Sequence, residues 1–328
     1  MGLNDNRARP LVTIIVPCKG PSPLLHECLA AIDELDYPRI ETIVLPDEPI
    51  PNGLDGVSVL PTGASGPALK RDRGGRAAAG EILAFIDDDA YPGSDWLDRA
   101  VAIFEDPEVV AVGGPGVTPP SDGILAQGSG LVYGSRLGGG NYRYRVQPEE
   151  ARWVDDYPSM NFLVRSEAFA QAGGFDTHFY PGEDTKLCLA LLKNGGKIRY
   201  DPNVLVYHHR RPLFGPHLRQ IVQYGVHRGH FARKYPQTSL RISYVLPAVW
   251  VLGLIAGPLL FRGVAPLWFL YRLVVAVYGA TLLATFLGIA GRTGRPILAA
   301  VSVLGIVATH AVYGVGFIRG LWARSLER

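Results

Sequence analysis

Cysteine is rare in this chain, and the few thiols form no recognisable site. The sequence contains three cysteines, at positions 18, 28 and 188, and no pair of them has a CxxC or similar ligand spacing. Since three is an odd number, one thiol would be left over in any disulfide scheme. These features argue against a disulfide framework and a cysteine-bound metal, and we interpret the thiols as reduced packing residues.

Acidic residues are almost absent from the back of the chain. From Pro202 onward there are fourteen Lys or Arg residues and one acid, Glu327, whereas the first 201 residues carry a net charge of −11. An acidic front followed by a basic, apolar back suggests a membrane or a polyanion as partner. The opening ten residues are polar and lead directly into an apolar strand pattern, so we expect no signal peptide.

Three stretches near the C-terminus lack charged residues altogether. They cover residues 242–261, 273–291 and 296–318, which are twenty, nineteen and twenty-three residues long. A helix needs roughly 20 apolar residues to cross a hydrocarbon core of ~30 Å, so the pattern predicts three transmembrane helices. Buried helices of a soluble core are the alternative, although such helices usually keep a polar stripe. We expect Arg272 to lie in the first turns of the second span, with its guanidinium reaching the interface.

The basic residues around these stretches predict the orientation of the chain. Arg233, Lys234 and Arg241 precede the first stretch, which places the front of the chain in the cytoplasm by the positive-inside rule. Arg292 and Arg295 then fall inside, as the rule requires. Three crossings would put the basic C-terminal tail outside, so either one stretch does not cross or the tail is tolerated there. We therefore expect a multi-pass protein of the cytoplasmic membrane whose front domain faces the cytoplasm.

Short apolar runs alternate with helical patterns in the front of the chain. Such alternation predicts an α/β fold with a mainly parallel sheet covered by helices. A glycine-rich stretch, residues 129–141, predicts a mobile loop. The predicted strands are 11–17, 41–46, 56–61 and 81–89, and the predicted helices are 24–35 and 68–80. Because ligands of such sheets bind beyond the carboxyl ends of the strands, we expect Pro17–Lys19, Asp47 and Asp87–Asp89 on one rim.

Three consecutive carboxylates, Asp87, Asp88 and Asp89, follow the strand pattern EILAFI. Adjacent carboxylates repel one another and cost stability unless a cation lies among them. Mg²⁺ and Mn²⁺ bind carboxylate oxygens together with substrate phosphates. The motif therefore predicts a divalent metal site, with a solvated acidic turn or a helix cap as the plainer interpretations.

Two further motifs lie later in the front domain. Glu183 and Asp184 open the helical pattern TKLCLALLKNGG, where a carboxylate either takes part in chemistry or caps the helix. His208 and His209 follow the strand pattern NVLVY and precede two arginines. Imidazole can bind a metal and guanidinium can bind phosphate, although a histidine pair is also common as a structural feature.

A basic segment, residues 213–241, connects the front domain to the charge-free stretches and contains no acid. Leu218, Ile221, Val222 and Gly225 can form one helical face, which predicts an amphipathic helix at the membrane interface. A solvated basic helix is the alternative. We expect no nucleic-acid partner, because the segment adjoins the first charge-free stretch. The expected division of the chain is 1–212 for the front domain, 213–241 for the interfacial segment and 242–328 for the transmembrane region.

In order and spacing, these motifs resemble those of the family 2 glycosyltransferases, which have the GT-A fold. The resemblance extends from Thr13 to about Tyr235 and includes IIVP, LPDE, GPALKRDRGGRAAAGEILAFIDDDAYP, MNFLVRSEAF, GEDTKLCLALLKNGGKIRYDPNVLVYHHRR and RQIVQYGVHRG. The basic segment and the tail are most similar to membrane-anchored exopolysaccharide glycosyltransferases of the succinoglycan-synthesis type. The resemblance implies a nucleotide-sugar donor and a Mg²⁺ or Mn²⁺ cofactor.

The resemblance also implies roles for the matching residues of the donor site. Asp47 would accept a hydrogen bond from the nucleotide base, and Asp87 would lie near the ribose. Where the family has an Asn after its basic residue, this chain has Asp72. The other expected donor-binding residues are Pro17, Lys19, Arg71 and Asp88.

Metal and acceptor residues follow from the same resemblance. Asp89 and His208 would bind the metal, with His209 as the fallback ligand. Asp184 matches the catalytic base of the family. The residues expected at the acceptor or in secondary roles are Glu183, Gln220, Tyr224 and Arg228.

The implied reaction is an inverting transfer of a sugar. The metal would neutralise the diphosphate leaving group, and Asp184 would remove the proton of an acceptor hydroxyl. Processive members of the family carry a Gln-x-x-Arg-Trp motif, whereas the nearest string here, from Gln220 to Tyr224, lacks both Arg and Trp, which favours transfer of single sugars. We expect a lipid-linked or glycan acceptor in exopolysaccharide or envelope synthesis, and membrane lipids as partners. The alternatives are a polyprenyl-phosphate glycosyltransferase and, from another class, an inactive membrane scaffold.

Overall fold

The computed structural model describes residues 9–51, 53–175, 181–324 and 326. The first unit comprises residues up to Val117 together with Gln147–His208, and the second comprises Thr118–Val146 and His209–Leu326. The opening residues 1–8, on which the expected absence of a signal peptide depends, lie outside the described residues. The division at residues 212 and 241 remains a prediction.

The first unit contains two β-sheets. The larger has the order β3-β2-β1-β4-β9-β6-β10-β8, and the smaller has the order β5-β11-β7. The strands are β1 Val12–Pro17, β2 Ile40–Leu45, β3 Ser58–Val59, β4 Ile82–Ile86, β5 Ala90–Pro92, β6 Val109–Gly113, β7 Gly116–Val117, β8 Arg152–Val154, β9 Asn161–Arg165, β10 Lys197–Tyr200 and β11 Val206–His208. β1 pairs in parallel with β2 and β4, β2 with β3 and β6 with β10, whereas β9 runs antiparallel to β4 and β6, and β8 to β10. The predicted α/β fold with a mainly parallel sheet is confirmed.

Helices occur in both units. They are α1 Pro23–Asp33, α2 Pro67–Ala77, α3 Trp96–Ile103, α4 Ile124–Gly134, α5 Ser166–Gln171, α6 Glu183–Lys193, α7 Gly215–Lys234, α8 Pro236–Ser239, α9 Ile242–Phe261, α10 Ala265–Thr293 and α11 Pro296–Trp322. α1 begins one residue before the predicted start at 24, because the Ser22 hydroxyl accepts a hydrogen bond from Leu25 N at 3.0 Å and a proline occupies the first helical turn.

The core of the first unit is built from the apolar strands predicted from the sequence. All six residues of β1 and all five of β4 are buried, as expected of strands covered on both faces. Buried polar side chains in this core are hydrogen-bonded. The Trp96 indole donates to Asn161 Oδ1 at 2.9 Å, and Asn161 Nδ2 donates to the carbonyls of Gly114 and Val204 at 2.7 Å each. The predicted strand over 56–61 is shorter in the structure, where only β3 is extended.

The prediction of a mobile loop over residues 129–141 is wrong. α4 covers its first half, and a 3₁₀-helix covers Gly140–Arg145. Glycine serves close packing here rather than flexibility, since a Cβ at Gly130 would lie 2.1 Å from Thr118 Oγ1. Composition alone does not distinguish these two uses of glycine.

In the second unit, α9, α10 and α11 are long and apolar enough to cross a membrane, as predicted. Many of their large apolar side chains are exposed, including Ile242 at 86% and Leu259 at 83%. An apolar exterior of this extent fits a lipid environment and does not fit the alternative of helices buried in a soluble core.

The basic segment is helical and packs tightly within the second unit. A Cβ at Gly229 of α7 would lie 2.1 Å from the carbonyl oxygen of Phe317, and a Cβ at Gly320 of α11 would lie 2.1 Å from that of Val226. Small residues permit this close approach of two helices. His217 is fully buried, and its ring nitrogens contact the hydroxyls of Ser129 and Thr309 at 2.8 and 2.9 Å. This burial lowers the pKa of His217 to about 4. The contacts of His217 and of the two glycines make α7 a packed helix rather than a solvated basic one.

Candidate active site

The carboxyl ends of β1 and β2 bring together the first group of predicted residues. Pro17 pairs with Leu45 in the parallel ladder, and Asp47 N donates to Lys19 O at 3.0 Å. Pro17 is buried, whereas Lys19 is exposed. The structure thus places Pro17, Lys19 and Asp47 on one rim of the sheet, as the strand pattern predicts.

The sequence interpretation missed Lys70, which holds Asp47. Lys70 Nζ lies 2.5 Å from Asp47 Oδ1 and is buried beneath the rim. A signal was present in α2, because Lys70 and Arg71 precede Gly74 by four and three positions and share its helical face. Gly74 faces the sheet so closely that a Cβ there would lie 2.6 Å from Ile15 Cγ2. Both basic residues on this face are buried.

The acidic motif forms a turn after β4, and strand pairing brings His208 to it. His208 of β11 pairs with Ala90 of β5, the residue that follows the three aspartates. His208 Nε2 lies 3.1 Å from Asp89 Oδ1, and one potential ligand atom from each of Asp87, Asp89 and His208 lies within 4.8 Å of the others. Burial, followed by the charges of Asp89 and Asp87, raises the pKa of Asp88 to about 6.

These residues fit a divalent cation. Two carboxylates and an imidazole are suitable ligands for Mn²⁺, and the carboxylates suit Mg²⁺ as well. His208 Nδ1 is buried and has no hydrogen-bond partner among the described residues. The fallback ligand, His209, contacts Asp122 through Nδ1 at 2.6 Å. The geometry therefore favours His208 over His209.

Arg71 connects the two acidic motifs of the first unit. One guanidinium nitrogen lies 2.5 Å from Asp87 Oδ1, and the other lies 3.1 Å from Glu183 Oε1. Burial on its own would lower the pKa of Arg71, but the charges of Asp87 and Glu183 outweigh it and raise that pKa. A single buried cation thus holds the start of α6 against the acidic turn after β4.

Asp184 lies beside this contact at the second position of α6. Its carboxylate accepts a hydrogen bond from Ser159 N at 3.2 Å. Gly182 occupies the N-cap, and its N–H donates to Glu183 Oε2 at 2.9 Å. Burial raises the pKa of Asp184, with an opposing effect of Arg71. Burial likewise raises the pKa of Glu183.

Asp72, where the family has Asn, has a structural partner. Its carboxylate accepts from Arg76 Nε at 2.8 Å and from Phe175 N at 3.2 Å. These bonds attach α2 to the segment after α5, so the departure from the family pattern serves packing in the first unit.

The remaining predicted residues lie on α7 in the second unit. Gln220 Nε2 donates to the Tyr224 hydroxyl at 2.9 Å, which brings these two side chains together. Arg228 instead lies over the Tyr244 ring at 4.6 Å and donates to Ser239 Oγ at 3.2 Å. Their acceptor roles remain predictions, as do the roles of the donor, metal and base residues.

The known proteins that this chain resembles are glycosyltransferases. The family model for "Glycosyl transferase family group 2" matches residues 82–309. The pre-mycofactocin glycosyltransferase of Mycobacterium tuberculosis is 30% identical over 266 residues, which are 80% of this chain and 51% of that protein, so this chain spans about half the length of that relative. A dolichyl N-acetyl-α-D-glucosaminyl phosphate 3-β-D-2,3-diacetamido-2,3-dideoxy-β-D-glucuronosyltransferase of Methanococcus voltae is 22% identical over 94% of this chain and 97% of its own.

Two solved structures share the fold. The mannosyltransferase of Pyrobaculum calidifontis, in complex with GDP-Man and Mn²⁺, has a TM-score of 0.54 at 22% identity, covering 98% of this chain and 90% of that one. GalNAc-T7 with UDP, GalNAc and Mn²⁺ has a TM-score of 0.50 at 15% identity, covering 71% of this chain and 52% of that one. At these identities the likeness establishes the GT-A fold.

Proposed function

Because this chain belongs to the family 2 glycosyltransferases, we propose that it is an inverting, metal-dependent transferase that moves a sugar from a nucleotide-diphosphate sugar to a lipid-linked acceptor. The carrying observation is the contact of Arg71 with both Asp87 and Glu183. It brings the acidic turn, which suits a cation and a diphosphate, next to the helix start that bears Asp184. A leaving-group site and a base are both needed for single displacement.

Asp89 and His208 would hold Mg²⁺ or Mn²⁺, with Asp87 beside them. When bound there, the ion would neutralise charge on the diphosphate as the glycosidic bond to it breaks. Asp184 takes the proton of the acceptor hydroxyl, because burial makes its carboxylate more basic than an ordinary aspartate. Through its contacts with Asp87 and Glu183, Arg71 holds the acidic turn beside the start of α6. Asp47 accepts a hydrogen bond from the base of the donor.

The membrane features support a lipid-linked acceptor. Three candidate spans lie in the second unit, and the name of the Methanococcus voltae relative describes a dolichyl-linked sugar phosphate as its substrate. We propose a multi-pass protein of the cytoplasmic membrane with its first unit in the cytoplasm. On the resemblance of the tail, the glycan is an exopolysaccharide or another cell-envelope polymer.

The test is transfer by the full chain in detergent. The protein is incubated with single nucleotide sugars, Mn²⁺ and a bacterial lipid extract, and lipid products are identified by mass spectrometry. The expected result is a lipid whose mass has increased by one sugar, absent with Asp89→Ala. If the added sugar is found on a bare polyprenyl phosphate, the acceptor is that lipid phosphate and the chain is the alternative polyprenyl-phosphate glycosyltransferase. Absence of any sugar transfer across UDP-, GDP- and dTDP-sugars would refute the proposal.

A further inference from the structure

The ammonium group of Lys70 lies buried at the carboxyl ends of β1 and β2. Only 3% of the residue is exposed. Its Nζ is 2.5 Å from Asp47 Oδ1, 2.7 Å from Cys18 O and 3.2 Å from Leu45 O. An ammonium has three protons, and these three acceptors account for all of them. Lys70 therefore has no proton left for a ligand, and it acts on its surroundings through Asp47.

Both backbone polar groups of Asp47 and one of its carboxylate oxygens have hydrogen-bond partners. Its N–H donates to Lys19 O at 3.0 Å, and its carbonyl accepts from Gly63 N at 2.9 Å, which fixes the backbone. The Asp47 side chain is 26% exposed, whereas the Lys70 side chain is 4% exposed. Lysine is almost never buried unless it is paired, so this ion pair is a specific feature of the rim. We call this ion pair the Lys70 clamp; it holds Oδ1 and leaves Oδ2 as the unclamped oxygen.

We infer that Lys70 is a positioning residue that sets which base the donor site accepts. The inference rests on the proposed function, in which Asp47 accepts a hydrogen bond from the nucleotide base. Guanine presents two adjacent N–H donors, which match both oxygens of an unclamped carboxylate. Uracil presents one, its imino N–H, which matches a single oxygen. The Lys70 ammonium occupies one lone pair of Oδ1 and withdraws charge from that oxygen, so Oδ1 is a weaker acceptor for a second base donor than Oδ2 is. The Lys70 clamp therefore favours uracil over guanine.

A double-mutant cycle separates this role from a merely structural one. Binding of UDP and of GDP, each with Mn²⁺, is measured by calorimetry on the full chain in detergent. The variants are Lys70→Met, Asp47→Asn and the double variant, with the exposed Lys193→Met as a matched control. Thermal unfolding of each preparation reports whether it is folded.

The expected result concerns the ratio of the two affinities. The unchanged protein and Lys193→Met should bind UDP at least about tenfold more tightly than GDP, a difference of one good hydrogen bond. Lys70→Met should reduce this ratio to near unity. In the Asp47→Asn background, where the carboxylate is gone, Lys70→Met should change the ratio less than about twofold.

Three results would overturn the inference while leaving the proposed function standing. These are tighter binding of GDP by the unchanged protein, an unaltered ratio in Lys70→Met, and an equal loss for both nucleotides in both backgrounds. If Lys70→Met does not fold, Asp47→Asn alone decides, because a full UDP preference in that variant refutes the clamp. Binding of neither nucleotide by the unchanged protein would overturn the proposed function together with this inference.

Discussion

Replacing Asp184 with Asn separates a catalytic base from a structural carboxylate. Asp184 accepts one hydrogen bond from Ser159 N at 3.2 Å, and the side-chain oxygen of Asn can accept the same bond. The N-cap of α6 is Gly182, whose N–H donates to Glu183 Oε2, so Asp184 is not the capping residue of the helix. The substitution should therefore preserve the fold and remove the capacity to accept a proton.

The expected loss follows from the role of a general base. Removing one typically costs ~10²–10⁴-fold in rate, which is about 2.7–5.4 kcal/mol of transition-state stabilisation. Donor affinity should change less than about twofold, because the residues proposed to contact the nucleotide base lie at the ends of β1 and β2 rather than on α6. The loss should therefore fall on kcat, with the KM for the donor nearly constant.

The pH profile gives a second readout of the same group. Burial raises the pKa of Asp184, Arg71 opposes this effect, and the nearby Asp156 adds to it. A carboxyl with a raised pKa takes up its proton at a higher pH than an ordinary aspartate, so the base is lost on acidification. Transfer by the unchanged protein should decline as pH falls through this raised pKa. The residual transfer of Asp184→Asn should show no such decline.

The assay measures single-turnover transfer and donor binding on one preparation. The matched control is Asp36→Asn, an exposed acid outside the site, which should keep full turnover. Near-normal turnover of Asp184→Asn with a hydroxyl acceptor would refute the assignment and direct the search to Glu183, Asp155 or Asp156. Near-normal turnover with a lipid phosphate would instead favour the polyprenyl-phosphate alternative, since that acceptor needs little proton abstraction.

Further predictions concern the metal, the membrane and the helix packing. Activity should require Mg²⁺ or Mn²⁺ and be lost in Asp89→Ala but not in the exposed control Asp33→Ala; full activity in excess chelator would contradict this. The chain should sediment with membranes and need detergent for extraction, so its recovery in a detergent-free soluble fraction would contradict the three spans. Gly229→Ala should lower the unfolding temperature in detergent, because overpacking costs about 1–3 kcal/mol, whereas Gly253→Ala, with open space at its Cβ, should not.

Sequence patterns predicted the elements that depend on local spacing and length. β1, β2 and β4 follow from short, mostly apolar runs that end in proline or acids, since all of β1 and β4 and the last four residues of β2 are buried. The three candidate spans follow from charge-free length alone. The rim that carries Asp47 and Asp87 follows from the parallel order of the strands. Each strand and each span is predicted from residues that are close together in the chain.

Tertiary structure decided what depends on partners far apart in the chain. His208 reaches Asp89 through the register of β11 on β5, and Arg71 contacts Asp87 as well as Glu183, which lies 112 residues further along the chain. The burial of Lys70 and the helical state of residues 129–134 likewise depend on what packs against them. A basic side chain or a glycine has no fixed role of its own, because its free energy is set by the neighbours that the fold supplies. The sequence by itself therefore determined the apolar strands, the three charge-free helices and the motifs, and the fold determined their partners.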